Sequence, residues 1–475
     1  MQLPAVFRRA MQSIGIPMRA SSYEAAGTGR RSKTITAPGS GPNRSLSYSL
    51  ETLRNRSRAA DRNNAWLWLA VDRQVSNEVG IGVTLRSRAE DLAFREAANR
   101  LWARSSQELD AEGLLNFGGI QAQAVRARRV AGEVFIRRRR RDPILGLAVP
   151  MQIQVLEAEY VPLGYSRDLD NGNYVRDGIE YNLRGARAAY WMHTSHPNDD
   201  GRTGFENLVR ISASDVIHHF APTRPGQRRG EPNSARSLLG AHTFDSYEDA
   251  ELVRKQTRAP FTGAIYRDSF ESDWKFDPFT GQTLTGALDP ESNVEPGSFI
   301  ALAPGEKLEL FDGDDNGAGL AEYSRQTLLK ICAGFGVPYE VATGDWSKVN
   351  DRLVRAIQNE FRRSIEAAQD HLLIFQICSR VWSWWLDAAV FSGALNAPGY
   401  ATNKPGYQAL QARPHGWAYV NPLQDVQAKT AAINAGLTSR QIAIDEQPGP
   451  SADEIDRQIS EDQMHPFNFT QGAAA

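Results

Sequence analysis

The sequence predicts an α+β chain, and three observations lead there. Apolar residues recur at spacings of three and four from about Leu50 to Glu78 and again, over a longer run, after Leu353. Between these helical stretches, residues 131–220 break into short β-branched and aromatic runs separated by Gly, Asp, Asn and Pro clusters. At 475 residues the chain is long enough for several units by the soft prior of roughly 150 residues each.

Taken in order, residues 20–48 are rich in Gly, Ser, Thr and Arg without periodicity, so residues 1–48 read as a flexible basic arm. In the first helix Ala65, Trp68, Val71 and Val75 share a face, and Gly80 and Gly82 end it. A second helix is expected over about 88–105, and a third over about 119–129 after a Gly118–Gly119 break. Strands are expected at Glu133–Arg141, Met151–Ala158, Gly178–Leu183, Ala188–His193 and Val216–Phe220. A loop dense in Pro, Gly and Arg follows, and then a helix over 234–258 with an acidic middle and basic last turns, which suits its dipole. Pro260 stops that helix. Residues 261–311 read as a small α+β insertion with strands at Ser298–Leu302 and Lys307–Phe311. A helix resumes over Leu320–Phe335, a loop covers 336–351, and a long helix runs on to Gly393. Short helices near Pro422–Ala435 and Ser439–Ile444 precede an acidic tail.

Lys and Arg number 54 against 56 Asp and Glu, for a net charge of −2. A tight nonspecific DNA binder is usually basic overall, so that class is disfavoured, whereas a conduit that lets DNA slide is not. The charge is uneven: residues 1–62 hold eleven Lys or Arg against three acids, and the last 25 residues are acidic. No run is long and apolar enough to span a membrane, and the N-terminus lacks a signal-peptide core, so no membrane association or export is expected. Cys332 and Cys378 sit in apolar helical surroundings, as buried reduced thiols do.

Six stretches carry a family resemblance in register. They are SNEVGIG (76–82), DVIHHFAPTRPGQRRGEP (215–232), SYEDAEL (246–252), LAPGEKLELFDG (302–313), CAGFGVPYEVATGDWS (332–347) and VNPLQDVQAKTAAINAGLTSRQIAI (420–444). Together they resemble the lambda-like portal proteins of tailed bacteriophages, over about Arg54–Gln458. The resemblance implies a portal fold. Its parts would be a wing over 49–233, a first stem helix at 234–258, a clip at 259–317, a second stem helix at 318–335, a tunnel loop at 336–351, a long wing helix at 352–394, and a helical crown with the tail over 395–475. It also implies a closed ring, twelvefold in the capsid, at one vertex of the virion, assembled in the host cytoplasm. The implied partners are double-stranded viral DNA held without sequence preference, the large terminase subunit, the major capsid protein and scaffold, and head-completion or connector proteins. No cofactor and no catalytic residue is implied. Trp346, Ser347, Lys348, Asn350 and Arg352 would face DNA in the tunnel loop. Many family members carry a Tyr–Ser–Ser–x–Arg type segment after the loop Asn; here Asn350 is followed by Asp351, Arg352, Leu353 and Val354, so the fine chemistry of the loop departs from that pattern.

Other motifs were weighed on their residues. Two roles stay open for Arg224, Gln227, Arg228 and Arg229: bridging subunits, or ordering their own Pro/Gly-rich loop. Along a strand, Arg137, Arg139 and Arg141 point opposite to Arg138 and Arg140, which divides the charge and favours a solvated or salt-bridged strand over nucleic-acid contact. His218 and His219 are adjacent on a strand, face opposite sides and read as structural. Asp312, Asp314, Asn316 and Gly317 open like an EF-hand loop, but Tyr323 stands where the closing Glu is needed. A rival function, a Mg-dependent DNA-processing enzyme, would use Asp312, Asp314 and Asp315 in the acidic 312–315 turn. Walker A, G-x-S-x-G and H-E-x-x-H sequences do not occur, so energy for DNA movement must come from another protein.

Overall fold

The computed structural model describes residues 39–199, 204–205, 207–258, 263–267, 306–310, 317–417, 422–445 and 452–464. Most of the basic arm, the expected Ser298–Leu302 strand and the acidic 312–315 turn lie outside the described residues.

Helix α1 (Pro42–Asn63) starts earlier than its periodicity suggested, because Pro42 occupies the first turn, where its missing N–H costs nothing. Its inward positions Leu50, Arg54 and Ser57 are buried. The single helix expected to Glu78 is in fact two, since α2 (Ala65–Glu78) begins afresh at Asn64. The Asn64 backbone is extended, its side-chain oxygen accepts from Leu67 N at 2.8 Å, and its Nδ2 donates to the Asp245 carboxylate at 2.7 Å. A capping side chain with a distant partner thus overrides an unbroken apolar stripe.

Strand β1 (Thr84–Ser87) and helix α3 (Leu92–Ser105) lead to α4 (Phe117–Ala131), capped by Asn116. Gly118 and Gly119 do not break that helix; they form its first turn. A Cβ on Gly118 would lie 2.5 Å from the Ile81 carbonyl oxygen, so glycine is needed there for close approach.

The β-rich middle forms two sheets. Strands β2 (Glu133–Arg140), β3 (Met151–Leu156) and β9 (Val216–Phe220) pair antiparallel in the order β3-β2-β9. Inserted between β3 and β9 in sequence is a meander of β4 (Arg167–Asp168), β5 (Tyr174–Arg176), β6 (Ile179–Tyr181), β7 (Arg187–Met192) and β8 (Val209–Ser212). Strands β4, β5 and β8 are too short or too polar to stand out in the sequence.

Helix α5 (Leu238–Arg258) follows a 3₁₀ turn at Asn233–Arg236, four residues later than expected, and packs antiparallel to α6 (Gly317–Phe335). Ser237 Oγ donates to Ile331 O at 2.9 Å near one end of the pair, and the Tyr247 and Tyr323 rings sit 4.7 Å apart further along. Beyond them, β10 (Gly263–Arg267) and β11 (Glu306–Leu310) pair antiparallel. The expected loop at 336–351 contains a short helix, α7 (Tyr339–Thr343).

The long helix is continuous but not uniform. It comprises α8 (Asp351–Ala368), a π-helical segment (Gln369–Cys378) and α9 (Ser379–Phe391). The wider π turn is used at both ends. Gln369 Nε2 donates to Glu78 O at 2.9 Å, closing the end of α2. Gln376 accepts from Phe220 N at 3.3 Å and donates to Phe220 O at 3.1 Å, pairing the open edge of β9. After the four-residue helix α10 (Lys404–Tyr407), an unexpected strand β12 (Leu410–Arg413) returns to pair with β1. Helices α11 (Pro422–Asn434), α12 (Arg440–Asp445) and an unexpected α13 (Ala452–Met464) complete the chain.

Three apolar clusters result. The first packs α3, α4 and α9 on one face of β2, with Trp102 5.3 Å from Trp382 and 5.0 Å from Trp385 between ring centroids. The second joins α2, α5, α6, α7 and α8 through Phe244, Ile331, Phe335 and Phe361. The third fills the space between the two sheets with Phe135, Ile179, Tyr190 and Ile211. Strand β2 serves two clusters because alternate residues, Val134 and Ile136 against Phe135, point opposite ways.

At the start of β2 two glycines cross. A Cβ on Gly230 would fall 2.0 Å from Gly132 O, and one on Gly132, where φ is +90°, would fall 2.6 Å from Gly230 O. Gly230→Ala is expected to lower stability by about 3 kcal/mol through overpacking that backbone alone can relieve. A guanidinium unfolding midpoint equal to that of the parent chain would contradict this close approach.

Candidate functional site

The loop expected to face DNA is built from its own short-range chemistry. Gly344 takes the left-handed conformation that ends α7. Asp345 then organises the turn: its Oδ1 accepts from Ser347 N at 3.1 Å and from Ser347 Oγ at 2.5 Å, and its Oδ2 accepts from Tyr339 OH at 3.3 Å. The Ser347 hydroxyl and N–H hold the Asp345 carboxyl below its ordinary pKa. Asn350 Oδ1 accepts from Leu353 N at 3.0 Å and caps α8. Of the five expected residues, Ser347 and Asn350 are therefore committed to the loop's own architecture. Trp346, Lys348 and Arg352 are exposed on it, with Trp346 37% accessible. Asp345 was not singled out in the sequence; an Asp two residues before a Ser is the ordinary signal of such a turn.

The second expected group divides differently. Gln227 is buried, and its Oε1 accepts from Thr223 N at 2.8 Å and Arg224 N at 3.2 Å while its Nε2 donates to Arg229 O at 2.8 Å. Arg229 is buried as well. Its Nε donates to Glu133 Oε1 at 2.8 Å, its Nη1 to Asp177 O at 2.8 Å, and its Nη2 to Val161 O at 3.0 Å. These two order the loop within one chain. Among the described residues the Arg224 side chain donates to Ser40 O at 3.4 Å, and the backbone N–H of Arg228 donates to Asn43 Oδ1 at 2.8 Å.

Arg229 leads to a buried node that sequence reasoning missed. Glu133, fully buried, accepts from Arg54 at 2.7 Å, Arg229 Nε at 2.8 Å, His218 Nε2 at 2.8 Å and Gly230 N at 2.9 Å. Burial alone would raise its pKa, but the Arg229 charge and the His218 hydrogen bond outweigh that and hold it far below the carboxylate range. A second node is Glu78, which pairs with Arg128 at 2.7 Å and with Arg129. Burial brings Arg129 down to about 10 despite Glu78.

The remaining candidates have local explanations. His218 binds Glu133 and stacks on Phe135 with ring centroids 4.4 Å apart, while His219 Nδ1 meets Gln376 Oε1 at 2.8 Å on the opposite side of β9. In the arginine run, Arg138 pairs with Asp215, Arg139 donates to Gln154 at 2.9 Å and Arg141 to Gln152 at 2.8 Å, all within the chain. The thiols are buried; Cys332 is pushed up to about 11 and Cys378 higher still. Glu157, Glu159 and His196 have ligand atoms within 4.8 Å of one another, yet Arg58 already binds Glu159 at 2.7 Å and Glu157 at 3.0 Å, so the group is a salt-bridge cluster.

Two stability consequences follow from the nodes. Replacing the carboxylate in Glu133→Gln leaves buried guanidinium groups uncompensated, and a loss of about 3–5 kcal/mol in denaturant unfolding is expected; a loss below about 1 kcal/mol would mean that the node is not a keystone. The second consequence concerns acid. Burial lowers His218 to about 4 and His219 to about 3 from an ordinary 6.5. The unfolded chain takes up these protons as pH falls through about 6.5, but the folded chain takes them up only near 4 and 3, so stability is full above that window and declines within it. The thermal midpoint should fall from pH 7 to pH 5, and His219→Gln should flatten the slope; parallel slopes in both proteins would refute the assignment.

Comparison with known proteins agrees with the resemblance seen in the sequence. The family model for "Phage portal protein, lambda family" matches residues 28–369. The chain is 26% identical over 424 residues to a probable portal protein of Halomonas phage phiHAP-1, covering 87% of this chain and 80% of that protein. It is 23% identical over 296 residues to the portal protein of Escherichia phage N15, and 21% identical over 302 residues to portal protein B of Escherichia phage lambda. Each of those two alignments covers 56% of this chain and 54% of the relative. Among solved structures, a chain in the neck of a native gene transfer agent particle, computed with C12 symmetry, is 14% identical with a TM-score of 0.48, over 89% of this chain and 99% of that one. With the family model spanning most of its length, the chain belongs to the lambda family of phage portal proteins, structural proteins of the virion's portal vertex rather than enzymes.

Proposed function

We propose that copies of this chain close into a twelvefold ring at one capsid vertex, and that the ring is the channel for DNA packaging and ejection. In this reading the antiparallel pair α5 and α6 forms the stem, and the segment between them, which includes the β10–β11 ribbon, is the clip that docks the large terminase subunit and later the connector. The sheets and the Trp382–Trp385 core form the wing held by the capsid, and α11–α13 belong to the crown. A ring of identical, heterologous contacts is the general way such a subunit closes.

The observation that carries the reading is the loop at 344–350. It is rigid at both ends, through Gly344–Asp345 and through the Asn350 cap, and it presents Trp346, Lys348 and the adjacent Arg352 to solvent. A preformed, sparsely charged tip suits transient contact with a moving phosphate backbone: it guides without holding. The acidic-turn enzyme lacks such support, because the family is structural.

Native mass spectrometry with electron microscopy of the purified chain is the test. Rings near ~630 kDa, twelve copies of 52.6 kDa, with a central hole wide enough for a duplex, are expected. In such rings Trp346→Ala with Lys348→Ala should leave assembly intact and impair packaging or retention of DNA. Packaging at the parental level would remove the loop from the DNA path, and a monomer that cleaves DNA with Mg²⁺ would remove the portal mechanism altogether.

A further inference from the structure

The meander sheet holds a cavity that the portal reading leaves unused. It is an open cleft of about 460 Å³ between strands β5, β6 and β7 and the loop at 226–228. Arg176, Arg187 and Arg228 line it together with Tyr174 and Tyr181, and no carboxylate lines it among the described residues. The aromatic wall is ordered: the Tyr174 and Tyr181 rings stack at 5.5 Å, and the Arg176 guanidinium lies 5.2 Å over Tyr174.

The charge here is poorly compensated. Arg176 donates to Asp168 Oδ1 at 2.9 Å. Among the described residues, Arg187 and Arg228 have no carboxylate partner within ion-pair distance. Arg187 is instead set beside the phenols of Tyr181 and Tyr190 and 5.4 Å over the Phe220 ring. Tyr181 is 8% exposed, and its hydroxyl makes no hydrogen bond of normal geometry. A largely buried guanidinium with no carboxylate beside it is favourable ground for an anion.

The frame is also rigid. A register irregularity between Glu180 and Tyr181 sets Tyr181 opposite Arg187. Gln227 clamps the loop from within, and Asn43 Nδ2 donates to Gly226 O at 3.0 Å while Asn43 Oδ1 receives the Arg228 N–H. The position of Arg228 is thus fixed by the start of α1.

The geometry points to a binding site for a phosphate dianion, held by Arg187 and Arg228, with Arg176 at its rim. Three guanidiniums less the Asp168 charge leave two positive charges for one anion. A terminal phosphate carries nearly two negative charges and several acceptor oxygens, whereas a single carboxylate would leave one guanidinium unanswered. The dianion could be supplied free in solution or as the 5′ phosphate of a nucleic-acid end. The inference is independent of ring formation.

Isothermal titration of the full chain with inorganic phosphate, at ionic strength fixed by chloride, is the first experiment. Saturable binding of one phosphate per chain is expected, and Arg228→Gln, a partly exposed position whose fold can be checked by thermal melting, should weaken it about tenfold or more. Arg187→Gln should abolish it. A short duplex titrated with and without 5′ phosphates separates the sources. Preference for the phosphorylated duplex assigns a DNA end, and binding of phosphate with no duplex preference assigns the free anion. Absence of saturation up to about 10 mM phosphate, unchanged affinity in a folded Arg228→Gln chain, or binding of a glutamate-rich peptide in place of phosphate would each overturn the proposal.

Discussion

The Glu133 carboxylate is the constraint on which the rest of this chain depends. Four separate segments meet there: α1 through Arg54, β2 through Glu133 itself, β9 through His218, and the loop after β9 through Arg229 and Gly230; Arg229 then reaches the carbonyls of Asp177, Ala158 and Val161. Burying these charges is unfavourable on its own, and a set of matched apolar residues could be as stable. What the node supplies is uniqueness. Only one register of β9 on β2, and one path of the Pro/Gly loop over Gly132, satisfies all four donors to Glu133. The same path delivers Arg228 and the start of α5, so the loop dense in Arg is fixed before any partner is involved.

A second set of polar contacts carries this order toward the loop at 344–350. Glu78 at the end of α2 holds Arg128 and Arg129 of α4, and its carbonyl receives Gln369 from the π-helical segment. Seven residues on, Gln376 grips the edge of β9 and His219. The long helix is therefore tied to the helical layer and to the sheet at two points, while its N-terminus carries the loop at 344–350. A π turn is a costly irregularity, and one that places two glutamines on two different elements has a structural reason to persist. On the proposed reading, force on the loop is passed along one helix into the wing.

Much of this was legible in the sequence, and what was not has identifiable causes. The strands at 133–140, 151–156 and 216–220 followed from alternation and turn residues, and the opposite orientation of His218 and His219 from period two alone. The Asn64 break was hidden because its partner, Asp245, is 181 positions away. Strand β12 was hidden because four unremarkable residues become a strand only by meeting β1 from the other end of the chain. Glu133 was not singled out and Arg229 kept two open roles, since a sequence displays an acid and a base but not the burial that joins them. For the loop, division of labour was not readable: Ser347 and Asn350 look as able to touch a phosphate as Lys348 until their hydrogen bonds are seen.

That division of labour bears on how a conduit avoids becoming a binder. Each additional phosphate held by a fixed cation steepens the salt dependence and deepens the well in which DNA rests. The loop has an acid at its base, with Asp345 kept ionised by Ser347, and its two exposed cations stand on either side of the Asn350 cap. Its exposed Trp346 offers bulk and a π face without charge. On the proposed reading, contacts of this kind repeat at every subunit around a closed ring, so that a moving duplex would exchange many weak contacts for equivalent ones and no single subunit would have to release a strong one. The chain's strong arginine–carboxylate contacts are instead buried inside each subunit, at Glu133 and Glu78, where they fix the loop's support and not the DNA.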